Sequence, residues 1–348
     1  MKKILLGLGC SVAISLTGSS AFAQQTITLI AYGGLFQERY TKTVIEPFQA
    51  ANPGITVSYF ALPSSGQMLG TLRAQKAAPQ SDVAILDVTV SKAGTDEGIF
   101  EKLDEKSVPN IADLRPEARF PDVAGVGVTF DNFDIIYNSD LKTPPKSLKD
   151  LASPELKGKV SFSGMPDIIG LSAVIVMDNK DGGPGLAGRF DKGITAMEGI
   201  APNILTWEPQ PEVYPIIISG QAMAGIGWNA RSQLNAKLSN GKLKAVIPSE
   251  GTVFQINTIN LVANTPPARS EVAKKFINYA LSAETQKRFS EDMFYAPTNA
   301  KVQLEPSAAE KTALMQMDKV VPVDWIALAK IRDAMMDQWR RRVVPASR

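Results

Sequence analysis

Asp87 closes the apolar run Val83-Ala-Ile-Leu86, and Arg231 follows Trp228 by three residues, so each charge stands just beyond a predicted strand. A carboxylate at the carboxyl end of a buried strand is where α/β sheets hold ligands, and Asp87 there suits an ammonium group; the alternative is the N-cap of the next helix. Arg231 offers a planar fork to a carboxylate or phosphonate, or else is a solvated arginine at a helix start. Tyr32-Gly33-Gly34 ends another strand ahead of a helix, where unpaired N–H groups and the positive helix end receive an anion, unless the glycine pair only makes the turn. Aromatic walls come from Tyr32, Trp207, Trp228 and Tyr295, although Trp207, flanked by Glu208-Pro209, also reads as a loop plug. These are the parts of a binding site for a small ligand that carries both signs.

Composition leaves little room for catalysis. Histidine is absent and the single cysteine is Cys10. Cys10 lies in the leader discussed below, so Ser-His-Asp and Cys-His nucleophilic systems and histidine metal sites are excluded. No G-x-x-x-x-G-K-[ST], no G-x-S-x-G and no complete G-x-G-x-x-G after a strand is present. The 35 acidic residues keep a carboxylate-based hydrolase as a competing class, but no local motif nominates a pair. An iron carrier would need tyrosine ligands, and the seven tyrosines include no adjacent pair. No catalytic residue, metal ligand or cofactor is expected.

Lys2-Lys3, the apolar core from Ile4 to Leu16 and Ala21-Phe22-Ala23 form the three parts of a cleaved secretory signal. Ser15, Thr17, Ser19 and Ser20 arrive before the run is long enough to span a bilayer. Residues 1–23 are therefore expected to be removed, giving a periplasmic chain that begins near Gln24. Cys10 leaves with them; Gly7 stands where a lipoprotein signal wants leucine, so lipidation is not expected. Loss of Lys2 and Lys3 leaves 35 basic and 35 acidic residues. No segment concentrates Lys and Arg among aromatics, so nucleic acid is not an expected partner, and Arg340-Arg-Arg342 reads as a solvated helix end. A monomer is expected.

The elements that must position these side chains alternate. Ile27–Ala31, Ile55–Phe60 and Val83–Leu86 read as strands, separated by helical patterns carrying Phe36, Tyr40, Val44 and Phe48, then Met68, Leu69 and Leu72. This alternation predicts a parallel sheet with helices on its faces. Pro47 should break or restart the first helix. Lys159–Phe162 and Ala222–Ile226 are further strands, the second leading to a Trp228-Asn229 turn, with a Gly-rich surface loop at Asp181–Gly185 between them. Glu271–Ser290 reads as helical, with Ser282 capping a second helix, and Ser307–Val343 reads as mostly helical. Val126–Asn138 and Gln255–Val262 are two extended passages of crossover type.

Gly225-Ile-Gly-Trp-Asn-Ala230, followed by Pro248-Ser-Glu-Gly-Thr-Val-Phe-Gln-Ile-Asn257, resembles the Trp-Asn-Gly and Pro-x-Glu-Gly-x-x-x-x-x-(Asp/Asn) block of periplasmic spermidine/putrescine-binding proteins. Ile45-Glu-Pro-Phe48, Pro154-Glu-Leu-Lys-Gly-Lys-Val160 and Tyr295-Ala-Pro-Thr-Asn299 extend the resemblance over nearly the whole mature chain. It implies an α/β, type II periplasmic-binding fold, with two α/β lobes joined by crossover strands and a ligand cleft between them. Lobe one would comprise 24–130 plus 260–305 and lobe two 131–258, with the helices of 306–348 bracing the hinge side. It also implies capture of a small molecule for a separate ABC permease in the inner membrane, with Trp228 in the pocket and Tyr295 at its edge.

Two departures from that family bear on the ligand. The aromatic and acidic pair of the polyamine site falls on Gln255 and Asn257, and the loop after Lys159–Phe162 offers only Asp167 as an acid. A long dication would be under-neutralised on desolvation. The expected ligand is thus a small organic amine or amino-acid-like zwitterion of the γ-aminobutyrate, putrescine or aminoethylphosphonate type, with spermidine/putrescine-specific binding as the alternative.

Overall fold

Every residue of Val83–Asp87 is buried, as a near-continuous apolar run requires, since only a sheet covered on both faces hides it. This strand belongs to the main sheet of the computed structural model, which describes residues 24–210 and 212–347. The expected leader and Cys10 lie outside the described residues. In chain order the strands are β1 Gln25–Tyr32, β2 Ile55–Leu62, β3 Val83–Asp87, β4 Phe100–Glu101, β5 Val126–Asn138, β6 Val160–Ser161, β7 Ile204–Thr206, β8 Ala224–Trp228, β9 Leu243–Val246, β10 Phe254–Val262 and β11 Ala296–Pro297. Their spatial order is β2-β1-β3-β10-β5-β8-β6-β7, with β4 on β10 and with β9 and β11 on β5.

The predicted parallel sheet is present in two halves. β1 runs parallel to β2 and β3 in the first, and β6 runs parallel to β7 and β8 in the second. Between them lie the two extended passages, now long antiparallel strands. β5 pairs with β10 and β11 through its first part and with β8 and β9 through its last, so it belongs to both halves. Of its residues only Tyr137 is less than fully buried.

The first helical region shows how spacing becomes geometry. Phe36, Tyr40, Val44 and Phe48 are all buried, although a four-residue repeat lags behind the 3.6-residue turn of an α-helix. A wider, π-type turn at Thr41–Ile45 takes up that lag between the helices Leu35–Tyr40 and Glu46–Ala51. Pro47 does not break the run, because Ile45 and Glu46 keep right-handed helical backbone and the chain passes from the wide turn into Glu46–Ala51 without interruption. Ser282 caps the helix Ala283–Met293 by accepting the Thr285 N–H at 3.3 Å.

One local reading changes, and one helix has no counterpart among the predicted elements. Trp228-Asn229 is not a simple turn, because Asn229 begins the helix Asn229–Leu238. Ile168–Lys180 is a helix that periodicity does not announce, since it is buried on nearly every side and has no apolar stripe to detect.

The C-terminal segment is mostly helical in short pieces and touches both halves. Trp325 Nε1 donates to the Phe254 carbonyl at 3.0 Å, at the start of β10. Arg332 donates to the Pro166 carbonyl at 2.8 Å, and Arg342 holds Glu198 at 2.7 Å and Asp191 at 2.5 Å.

Candidate functional site

Three strands end at residues singled out by their chemistry: β1 at Tyr32, β3 at Asp87 and β8 at Trp228. Trp207 follows β7, and Asp167 lies in the loop after β6. The carboxyl ends of parallel strands are where an α/β sheet leaves a crevice for ligands.

In the first half, the Tyr32 hydroxyl is 2.6 Å from Ser65 Oγ and donates to Asn257 Oδ1 at 3.1 Å. Ser65 Oγ also accepts the Asp87 N–H at 3.0 Å. Asn257 is buried and gives its amide to Thr129 Oγ1 at 3.1 Å, so its polar atoms position Tyr32. Gln255 lies beside it, 3.5 Å from Asn257 Oδ1. Aromatic packing fixes the rest: Phe36 meets Tyr32 edge-on at 5.6 Å and Tyr295 at 6.0 Å, and Tyr295 stacks on Phe289 at 5.4 Å.

Asp87 is the N-cap of the helix Val88–Asp96, its Oδ1 accepting the Thr89 N–H at 2.8 Å and the Thr89 hydroxyl at 2.6 Å. Burial raises its carboxyl above the usual range, against bonds from Thr89 and Gln255 and the positive charge of Arg332. The Gly33 N–H is spent on the Leu62 carbonyl at 3.2 Å. Gly34, at φ +66°, makes a left-handed turn into a six-residue helix with no side-chain cap.

In the second half, Trp228 is half-buried and its backbone is pinned by Tyr214, whose hydroxyl accepts the Trp228 N–H at 3.0 Å. Arg231 pairs with Glu212 at 2.8 Å, the two side chains being 35% and 44% exposed. Beneath them lies Asp131 of β5, 3% exposed. Its Oδ1 accepts the Asn132 N–H at 3.0 Å and the Ala230 N–H at 3.1 Å. Burial pushes the Asp131 carboxyl up to about 7, with those two bonds and the charge of Arg231 opposing the rise. Asp134 is driven up further by burial and then by Asp131, and its Oδ2 has no partner.

Trp207 packs edge-on against Phe162 at 5.0 Å and Trp339 at 4.9 Å, and donates to Ser347 Oγ at 3.2 Å. With Asp167, Met336 and Arg340 it lines a cleft of about 800 Å³. Asp167 N-caps the helix Ile168–Lys180 through the Ile169 N–H at 2.8 Å.

Of the residues picked from sequence, Tyr32, Asp87, Gln255 and Asn257 meet in one network, Arg231 and Tyr295 share the charge environment of Asp131, and Trp228 joins them through its backbone bond to Tyr214. The charge of Arg332 acts on both Asp87 and Asp167, while Trp207 is held by Phe162, Trp339 and Ser347. The fold adds Ser65, Thr129, Asp131, Tyr214 and Arg332 to these residues. Only Asp131 carries a local signal: Asp131-Asn-Phe-Asp134 sets two acids inside an otherwise apolar extended run, where charge is costly. Among the described residues no group of three or more His, Cys, Asp or Glu could hold a metal ion, and no helix is long and apolar enough to cross a membrane.

The family model described as bacterial extracellular solute-binding protein matches residues 43–316. Over 292 residues, 79% of this chain and 77% of the relative, the sequence is 25% identical to a gamma-aminobutyric acid-binding protein of Pseudomonas aeruginosa. A solved structure from Bordetella parapertussis, assigned to the extracellular solute-binding proteins, is 26% identical with a TM-score of 0.76, covering 92% of this chain and 99% of that one. The spermidine/putrescine ABC transporter substrate-binding protein of Streptococcus pneumoniae shares the fold at 18% identity and a TM-score of 0.70, over 92% of this chain and 99% of that one.

Proposed function

Since the chain belongs to the bacterial extracellular solute-binding proteins, we propose that it is the periplasmic capture component of an ABC importer and that its ligand is a small zwitterion, γ-aminobutyrate being the first compound to test. One observation carries the choice of charge. Around the hydroxyls of Tyr32, Tyr214 and Tyr295, which burial raises above the usual range, carboxylates and Arg231 act with opposite sign: Asp87 at Tyr32, Asp131 at the other two. A ligand with one anionic and one cationic end satisfies both signs, whereas a dication leaves Arg231 facing its own charge.

Arg231 is free to serve. Its pair with Glu212 is exposed enough to be worth about 0–1 kcal/mol, so a ligand anion can take over the fork at small cost. Asn257, which in polyamine binders is an acid or its amide, is committed here to Tyr32 and Thr129. The gamma-aminobutyric acid-binding relative supports this reading; aminoethylphosphonate presents the same two charges. Polyamine-specific binding is the alternative, favoured by the Pro248–Asn257 block. Ligand contacts with both halves would stabilise a closed form, which a separate permease would read, and no turnover is expected.

Calorimetry of γ-aminobutyrate against putrescine tests the proposal, with analysis of recovered ligand to detect any product. The amino acid should bind more tightly by about 2–5 kcal/mol. Tight putrescine binding with no measurable γ-aminobutyrate affinity would return the protein to the polyamine class.

A further inference from the structure

We propose that Asp131 is the carboxylate that receives the ligand's ammonium group, an assignment that rests on the zwitterion reading above. Asp131 stands opposite Gln255 in the part of β5 where the strand leaves one half of the sheet for the other. Both of its hydrogen bonds fall on Oδ1. One comes from Ala230, in the first turn of the helix Asn229–Leu238, whose N-cap residue Trp228 provides no capping side chain. Asp131 therefore caps that helix from a neighbouring strand through Oδ1, which takes both of its hydrogen bonds among the described residues.

An asparagine would make the same two Oδ1 bonds without a charge. Keeping a carboxylate at 3% exposure is thus unfavourable unless a cation arrives to meet it. The titratable groups that face it are Arg231 from the same helix, Tyr214 from the helix Val213–Ile218, Tyr295 ahead of β11, and Asp134 farther along β5. Arg231 is the cation among them, and Glu212 holds its fork. Asp87 is less suited to the task, because Thr89 and Gln255 already engage its carboxylate. Arg231 follows Ala230 directly, so an anion site and a cation site stand beside one helix start, matched to a short zwitterion.

The test compares γ-aminobutyrate with 4-hydroxybutyrate, which puts a neutral hydroxyl in place of the ammonium, on the full-length mature protein. In Asp131→Asn, γ-aminobutyrate affinity should fall about 30-fold or more while 4-hydroxybutyrate changes less than about threefold, because only the charge-assisted contact is lost. Asp87→Asn should shift both compounds alike. A second measurement needs no variant: at pH 7 a partly protonated Asp131 must ionise to hold an ammonium, so calorimetry of the native protein in buffers of differing ionisation enthalpy should show proton release with γ-aminobutyrate and none with 4-hydroxybutyrate. A folded Asp131→Asn protein that keeps its preference for the amine, or native binding without proton release, sinks the assignment but not the zwitterion reading. Failure of the native protein to bind γ-aminobutyrate or aminoethylphosphonate, with or without putrescine binding, sinks both.

Discussion

At the level of single residues, Arg231 and Trp228 make the sharpest claims. Arg231→Ala should weaken γ-aminobutyrate by about 2–3 kcal/mol and leave putrescine unchanged or improved, since the cleft then loses only its positive charge; calorimetry of both ligands reads the difference. Trp228 is half-buried at the end of β8, with its backbone held by Tyr214. If it walls a desolvated pocket, Trp228→Ala should cost about 1–3 kcal/mol of affinity, and ligand should change the native tryptophan fluorescence. Unaltered affinity in a folded variant would make it a packing residue. Asp131 adds a stability test with a definite sign. Its carboxyl is held near 7 by burial, above the unfolded value of about 4, so its contribution is fully present below pH 4 and lost as pH rises through 7. In ligand-free protein, Asp131→Asn should therefore match the native melting temperature near pH 4 and gain about 4 kcal/mol of stability by pH 8. A constant offset across that range would contradict it.

Among the elements, the helix-π-helix run after β1 does most to hold the first half of the site. The wide turn at Thr41–Ile45 lets Phe36, Tyr40, Val44 and Phe48 all reach the core, and Phe36 in turn braces both Tyr32 and Tyr295. Phe36→Ala should cost about 3–5 kcal/mol of stability by chemical denaturation, from lost burial plus the cavity left behind. If Tyr32 and Tyr295 belong to the ligand site as proposed, it should also weaken ligand binding, because both rings lose the support of Phe36. A stability loss with unchanged affinity would separate the aromatic core from the site.

For the whole molecule, β5 is the member common to both halves, and the C-terminal segment reaches each of them through Trp325, Arg332 and Arg342. A ligand that bridges the halves should raise the melting temperature by mass action, equivalent to about 2.7 kcal/mol at a hundredfold excess over Kd. Small-angle scattering should show a more compact particle with γ-aminobutyrate than without it. A thermal shift with no compaction would separate ligand capture from closure. Export belongs to the same scale: N-terminal sequencing of the periplasmic form should begin near Gln24, and retention of Met1 or acylation of Cys10 would contradict a cleaved leader.

What could be read from the chain was set by local physics. Apolar runs and their spacing give the strand Val83–Leu86, the extended passage Val126–Asn138 and the buried face of the first helices; the missing histidine removes whole classes of chemistry; and the phrases around Trp228 and Glu250 carry the family. The sequence also names Tyr32, Asp87, Trp228 and Arg231, because strand ends in α/β sheets face the crevice. Burial and pairing are a different matter, since they depend on residues far apart in the chain. Nothing near Asn257 tells that it will be consumed by Tyr32 and Thr129; Asp87 is legible as an N-cap taking the Thr89 N–H two residues on, but nothing near it tells that Gln255 will engage it. Asp131 looks like a charge within an apolar run until β8 and its following helix close over it, bringing the Ala230 N–H to Oδ1 and excluding water. Desolvation is a property of the packed fold, and it is what turns an ordinary aspartate into the residue on which the ligand's charge is proposed to depend.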